Sequence, residues 1–390
     1  MTASIYIHVP FCVSKCDYCD FYSIPVGLTH DSHCDSLFDA YVNRILNGVK
    51  VLSEKFHPEN IPSIYIGGGT PSVLGPVHIQ RLLSGLQTLL PTPHELTVEV
   101  NPESASEDFL LACRNTGVNR ISMGVQSLYE PSRAAVHRTG AITGRAIEEK
   151  LALVSGIFPG AYSIDLITGL PLQTLTVIRS DIDRVLAFKP GHISLYALTV
   201  EPGTPLAAAR QKLVEPDKAD ALWLCGRDRL LEAGYEQYEV SNFSMPGKRC
   251  LHNIRYWRME NWLGLGPGAS GTVFDGEWGK KYEDAAACRF SVSPDVEKWL
   301  ANPDSCVQEE LIDVKTAMKE TFLMGFRYID GPDPELFHKR FGKNIADVIP
   351  KTLQKWKNSG CMAPDYSAMN REGLLLLDRF LIDAFDEIDS

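Results

Sequence analysis

Between residues 35 and 54 apolar side chains recur every three or four positions, with Leu37, Phe38, Tyr41, Val42, Ile45, Leu46, Val49 and Leu52 on one face. That period predicts an amphipathic helix. On either side of it, residues 4–9 and 63–66 are short β-rich runs, and the same succession then repeats. Strands are predicted at 96–100, 120–125, 162–167 and 192–198, separated by helices near 76–90, 106–116, 144–158 and 174–188, with a further helix over 217–233. Six strand-helix units with no hairpin signal between them imply parallel strands joined by right-handed crossovers. An open doubly wound sheet and a barrel both satisfy this. In either, chemistry collects at the carboxyl ends of the strands. The polar and glycine-rich segments fall there: Gly67-Gly68-Gly69-Thr70-Pro71, Glu99-Val100-Asn101-Pro102, Gln126 and, within the fifth strand, Asp165.

Beyond residue 233 the alternation stops. Residues 235–243 read as one strand and 262–271 as a glycine-dense loop, while helices are predicted at 314–324, 334–341, 346–358 and 373–385, with a small β-wing over 362–369. A winged-helix-like tail would suit DNA, but residues 307–390 carry more acidic than basic side chains and lack the electrostatic footprint. The tail is expected to be structural or partner-facing.

The 390 residues are 44% hydrophobic and 22% charged, which is ordinary for a globular protein of two or three domains. A net charge of -11 repels phosphate backbones and anionic lipid, so no nucleic-acid partner is expected. The longest stretch without a charged residue, 60–80, is broken by Pro62, Pro71 and Pro76 and does not suit a membrane span. No secretory signal is visible at the start, and the chain is read as cytoplasmic.

Cysteine usage sharpens the picture. Cys12, Cys16 and Cys19 crowd into one C-x3-C-x2-C loop, whereas Cys34, Cys113, Cys225, Cys250, Cys288, Cys306 and Cys361 are scattered and read as reduced, mostly buried thiols. Three thiolates within eight residues can converge on one face of an iron-sulfur cubane and leave its fourth iron open. Zinc would want a fourth ligand, and the nearest candidate, His8, would have to fold back from the first strand.

The C-x3-C-x2-C loop, the GGGTP segment and the six strand-helix units together resemble the radical S-adenosylmethionine (SAM) superfamily. The wider series is similar to the HemN/HemW group, which holds oxygen-independent coproporphyrinogen III dehydrogenases and haem chaperones. It consists of Ile5-Tyr6-Ile7-His8-Val9-Pro10-Phe11-Cys12, Gly124-Val125-Gln126-Ser127, His137-Arg138-Thr139 and Ile164-Asp165-Leu166-Ile167-Thr168-Gly169-Leu170-Pro171. The resemblance implies an α/β fold: a partial (β/α)6 barrel over residues 1–233, a small mixed extension over 234–306, and a helical, winged-helix-like domain over 307–390. It also implies a [4Fe-4S] cluster on Cys12, Cys16 and Cys19, with SAM chelated at the open iron and cleaved by an incoming electron. Tyr6 and Tyr18 would flank SAM, and Gly68, Gly69 and Thr70 would let backbone groups approach its methionyl part. Glu99 would accept from the ribose, Gln126 and Asp165 would line the pocket, and Arg138 would pair with the carboxylate.

Three features point to the chaperone branch of that group. Phe21 stands where the dehydrogenases usually carry a further cysteine, and only eleven residues precede Cys12 where they usually have a long extension. His252-Asn253-Ile254-Arg255-Tyr256-Trp257 matches the HNxxYW motif of the chaperones. A neutral imidazole at His252 suits haem iron, and Tyr256 and Trp257 offer flat apolar surface to a macrocycle. Relatives often have histidine at the position of Ser270, so a second haem-facing histidine is missing. The implied partners are haem, an unidentified haem-acceptor protein and an electron donor, with a cluster-dependent homodimer allowed. The alternative is oxidative decarboxylation of coproporphyrinogen in porphyrin biosynthesis, and another is a carrier in which SAM cleavage is incidental.

Overall fold

The computed structural model describes residues 1–27, 32–138, 142–209, 213–274, 276, 285–365 and 367–390. Thr139, quoted above with His137 and Arg138, lies outside them.

All six predicted strands form: β1 (Ser4–Val9), then, after the short β2 (Phe11–Cys12) and β3 (Ile24–Pro25), β4 (Ser63–Gly68), β5 (Glu95–Val100), β6 (Arg120–Gln126), β7 (Tyr162–Thr168) and β8 (His192–Ala197). They pair in parallel in the order β1-β4-β5-β6-β7-β8. Sequential order without reversal excludes the doubly wound alternative and is the winding of a partial barrel. The reason lies in the side chains. Nearly every strand residue is buried, as a sheet covered on both faces requires. Helices supply one cover with apolar stripes such as Ile79, Leu82, Leu83 and Leu86, or Ile178, Ile182 and Val185. The concave face is polar, with Tyr65, Thr97, Glu99, Ser122, Asp165 and Ser194 turned toward one another.

Two expectations for the extension fail. The stretch 235–243 is not one strand but a hairpin of β9 (Glu236–Gln237) and β10 (Asn242–Ser244), closed where Glu239 accepts from the Ser241 amide at 2.7 Å. The glycine-dense 262–271 is not simply a loop. It contains β11 (Trp262–Leu265), which joins the sheet in parallel beside β1, and the start of β12 (Ser270–Phe274). Its glycines serve close backbone approach: a Cβ on Gly264 would lie 2.2 Å from the Ser270 carbonyl oxygen, and one on Gly266, at φ +94°, 2.5 Å from that of His8.

Antiparallel β13 (Ala287–Val292) and β14 (Val307–Ile312) complete a twelve-stranded sheet. Its last strand therefore lies past the boundary at 306 read from the sequence. The barrel and extension also share one core, since Phe290, Val292, Val296, Trp299 and Cys306 pack with the residues of β1 and β4. A separate aromatic core around Phe322, Phe326, Phe337 and Phe380 organises the C-terminal helices. The helix predicted over 346–358 is split at Pro350 into Ile345–Val348 and Pro350–Asn358, because proline starts a helix more readily than it continues one. The predicted β-wing is a single bridge between Met362 and Met369. Among the described residues no helix is long and apolar enough to cross a membrane.

Candidate functional site

Two adjoining cavities open at the carboxyl ends of the parallel strands, sharing Phe21, Gly68, Glu99 and Tyr196 as a wall.

The first, of about 390 Å³, is lined by Cys12, Cys16, Tyr18 and Cys19 on one side and by Gly68, Thr70, Glu99, Asn101, Gln126, Arg138 and Asp165 on the other. The cysteine loop is held by short backbone bonds: Ile24 N to Pro10 O at 2.8 Å, Val26 N to Cys12 O at 2.8 Å, and a turn from Cys19 N to Cys16 O at 3.1 Å. A polar chain then runs from thiol to thiol. The Thr70 hydroxyl contacts Cys12 Sγ at 3.0 Å and accepts from Asn101 Nδ2 at 2.8 Å. Asn101 Oδ1 accepts from Arg138 Nη2 at 2.9 Å, and Arg138 Nη1 reaches Cys16 Sγ at 3.6 Å. Burial pushes the Cys12 and Cys19 thiols up, and the Thr70 hydroxyl pulls Cys12 part of the way back. Asn101 went unassigned in the sequence, where its only signal was its place at the end of a strand.

Arg138 has partners of its own: its guanidinium is engaged by Cys16, Asn101 and the Gly124 carbonyl, and it secures the thiol side of the cavity whose wall it lines. In the GGGTP segment, which lines the same cavity, the amides are used internally: Gly68 N donates to Glu99, Gly69 N to Val9 O at 2.8 Å and Thr70 N to Phe11 O at 2.7 Å. A Cβ on Gly69 would stand 2.4 Å from the Phe11 carbonyl oxygen, inside the cysteine loop. Gly69→Val is accordingly expected to lower iron loading as well as SAM binding. Iron analysis after anaerobic reconstitution checks it, and full iron content would show that the loop tolerates the side chain.

Glu99 accepts from the Tyr65 hydroxyl at 2.7 Å and from Gly68 N at 3.1 Å. Burial drives its carboxyl up to about 7 against the pull of the Tyr65 hydroxyl. Asp165, also raised by burial, is bonded by the Ser122 hydroxyl at 3.2 Å. Gln126 sits at a bulge in β6 with φ +67°, and its Oε1 is buried without a partner. That acceptor stands on the cavity wall, where a ligand donor or a water would satisfy it.

The three thiols fit an iron-sulfur cluster better than zinc. All three line one cavity, as ligands of one polynuclear cluster must. His8 is no fourth ligand: Nε2 donates to Tyr22 O at 2.8 Å, which leaves Nδ1 to accept from the Tyr6 hydroxyl at 3.0 Å.

The second cavity, about 710 Å³, falls within the size range of cofactor sites. Tyr6 lines this one and not the first, 6.3 Å from the Tyr65 ring. His252, Asn253, Tyr256 and Trp257 reach it from the helix Leu251–Trp257, whose first amides are held by Glu95: Leu251 N and His252 N each donate to its carboxylate at 2.9 Å. The His252 ring stacks on Tyr65 at 5.0 Å. Its tautomer follows from the hydroxyls behind it. Ser63 donates to Ser4 Oγ at 2.8 Å, so its oxygen accepts from His252 Nδ1 at 2.9 Å and the lone pair is left on Nε2. Burial pushes the imidazole down to about 3, so it is neutral across the physiological range. Ser270 lines the same cavity.

The family model of the radical SAM superfamily matches residues 6–185, the span from β1 through the helix Leu175–Leu186, so fold and site define a radical SAM protein. The heme chaperone HemW of Escherichia coli is 39% identical over 69% of this chain and 70% of its own length, and that of Lactococcus lactis 31% over 90% of each. A mouse relative, radical S-adenosyl methionine domain-containing protein 1, mitochondrial, is 30% identical over 97% of this chain and 86% of its own. The chain belongs to the HemN/HemW family. In structure it is similar to coproporphyrinogen III oxidase (HemN) from E. coli, with a TM-score of 0.78 over 99% of this chain and 90% of that one at 21% identity, a likeness of fold.

Proposed function

We propose that this protein is a haem chaperone: it carries a [4Fe-4S] cluster on Cys12, Cys16 and Cys19, binds SAM beside it, and holds haem in the second cavity for transfer to an acceptor protein. The observation that carries the reading is His252, a neutral imidazole with its lone pair on Nε2, on the wall of an aromatic cavity that adjoins the thiol cavity. Neutral imidazole is the form that ligates haem iron. The names of the HemW relatives agree with it.

A cluster bound by the three thiols supplies an open coordination position and an electron for SAM. Around it, Thr70, Asn101 and Arg138 hold the thiol side in place by hydrogen bonds. Glu99 and Gln126 offer acceptors to the ribose and adenine end of SAM, Asp165 adds a second buried carboxyl, and Tyr18 closes the wall beside Cys16 and Cys19. Phe21, 65% exposed at the mouth of both cavities, leaves that edge open to an electron donor or acceptor protein.

Anaerobically purified protein is expected to bind about one haem per chain and to release no carbon dioxide from coproporphyrinogen with SAM and a reductant. His252→Ala should shift the Soret band and weaken haem binding while iron content stays intact, because the two sites use different segments. Substantial decarboxylation would overturn the chaperone reading in favour of the dehydrogenase. Haem binding indifferent to His252 would move the ligand elsewhere.

A further inference from the structure

The second cavity contains a cation that neither the motif nor the family reading assigns. Arg327, just past the helix Val314–Gly325, reaches in from the C-terminal helices and is the one Arg or Lys among the described lining residues. Its guanidinium carbon lies 4.8 Å from the centre of the Trp257 ring, a cation–π contact. Beyond that stacking it is under-used. Among the described residues its one side-chain polar contact is Nη2 to Glu239 Oε2 at 3.5 Å, long for a charge-assisted bond, and Nε is buried without a partner. Trp257 Nε1, beneath it, is a second buried donor without an acceptor. Glu239, for its part, is fully buried and already accepts from the Ser241 amide, so it does not depend on Arg327 alone.

An arginine presents five N–H donors in a fixed fork suited to a carboxylate. We infer that Arg327 is the carboxylate receptor of this cavity, stacked on Trp257 and aimed at an acidic side chain of the bound macrocycle, which for haem is a propionate. The inference rests on the proposed haem function and deepens it: it makes the cavity selective for tetrapyrroles that retain a free carboxylate and assigns that selectivity to the C-terminal helices, away from the HNxxYW helix. Glu239 then acts as a competitor that holds the guanidinium when the cavity has no ligand.

The test compares ferric haem with its dimethyl ester, which keeps the iron and the ring but lacks the carboxylates. Both are titrated into cluster-loaded protein by difference absorption in the Soret region. Wild-type protein is expected to bind haem about tenfold or more tighter than the ester, the scale of a hydrogen bond to a charged group. Arg327→Gln should bring haem down to the affinity of the ester and leave the ester where it was, and Arg327→Lys should keep part of the preference. Glu239→Gln, which removes the competing charge but retains an acceptor for Ser241, should widen the gap. Equal affinity for haem and ester in wild-type protein overturns the inference and leaves the haem reading standing. A proportional loss of both ligands in Arg327→Gln shows only a packing role and also overturns it. Should Arg327→Gln fail to fold, an unchanged ratio in Glu239→Gln decides against it. Wild-type protein that binds neither ligand overturns the haem reading and the inference together.

Discussion

Cys12→Ala, Cys16→Ala and Cys19→Ala are each expected to abolish iron loading, from roughly four irons per chain to background, while Cys34→Ala leaves it unchanged. The distinction comes from position. The first three thiols face one cavity, and two of them are tied through Thr70, Asn101 and Arg138 into a single polar chain. Cys34 instead sits in the helix Ser32–Phe56 and packs against the core. Losing one of three protein ligands leaves two irons without thiolates, since the fourth ligand comes from outside. Iron and sulfide analysis after anaerobic reconstitution is the measurement, with SAM-induced change in the spectrum of the reduced cluster as a second readout. Stoichiometric zinc with no iron recovered would sink the assignment.

A pH dependence centred on Glu99 is expected as well. Its carboxyl stands at about 7 in the folded chain against an ordinary value of 4.5, raised chiefly by burial. The folded state therefore retains a proton that the unfolded state gives up, and between pH 4.5 and 7 the stability of the ligand-free protein falls as pH rises. Relative to Glu99→Gln, which does not titrate, the wild type should lose on the order of 3 kcal/mol across that window and nothing further above it. The amide cannot accept from both Tyr65 and Gly68, but this displaces the comparison by a constant and leaves its slope. SAM affinity should run the other way, rising through pH 7 as the carboxylate ionises and becomes a stronger acceptor, and falling in Glu99→Gln with iron retained. Denaturant unfolding at a series of pH values gives the first result and equilibrium SAM binding the second. A difference in stability that does not change with pH would remove Glu99 from this role.

Much of the site was legible in local spacing. Three cysteines within eight residues cannot lie far apart, and Glu99, Gln126 and Asp165 fall at or near strand ends that a parallel winding brings to one rim. What the motifs could not show was which groups already had partners. The amides of Gly69 and Thr70 are used by Val9 and Phe11 at the cysteine loop, and Arg138 is used by Cys16 and Asn101, through contacts between segments 37 to 122 residues apart.

The sequence by itself determined the six parallel strands, because their near-continuous apolar runs and intervening helical stripes admit little else. It also determined the cysteine loop, whose chemistry is set by residue type and separation along the chain. Only the tertiary structure decided that β11 adds to the barrel beside β1, since its glycines look like a loop until another backbone is seen against them. Only it placed Tyr6 in the second cavity and fixed the His252 lone pair on Nε2 through Ser63 and Ser4. It alone brought Arg327 over Trp257. The physical reason is common to all of these: hydrogen-bond partnership and stacking depend on distances between elements remote in sequence, which the local periodicity of a chain does not encode.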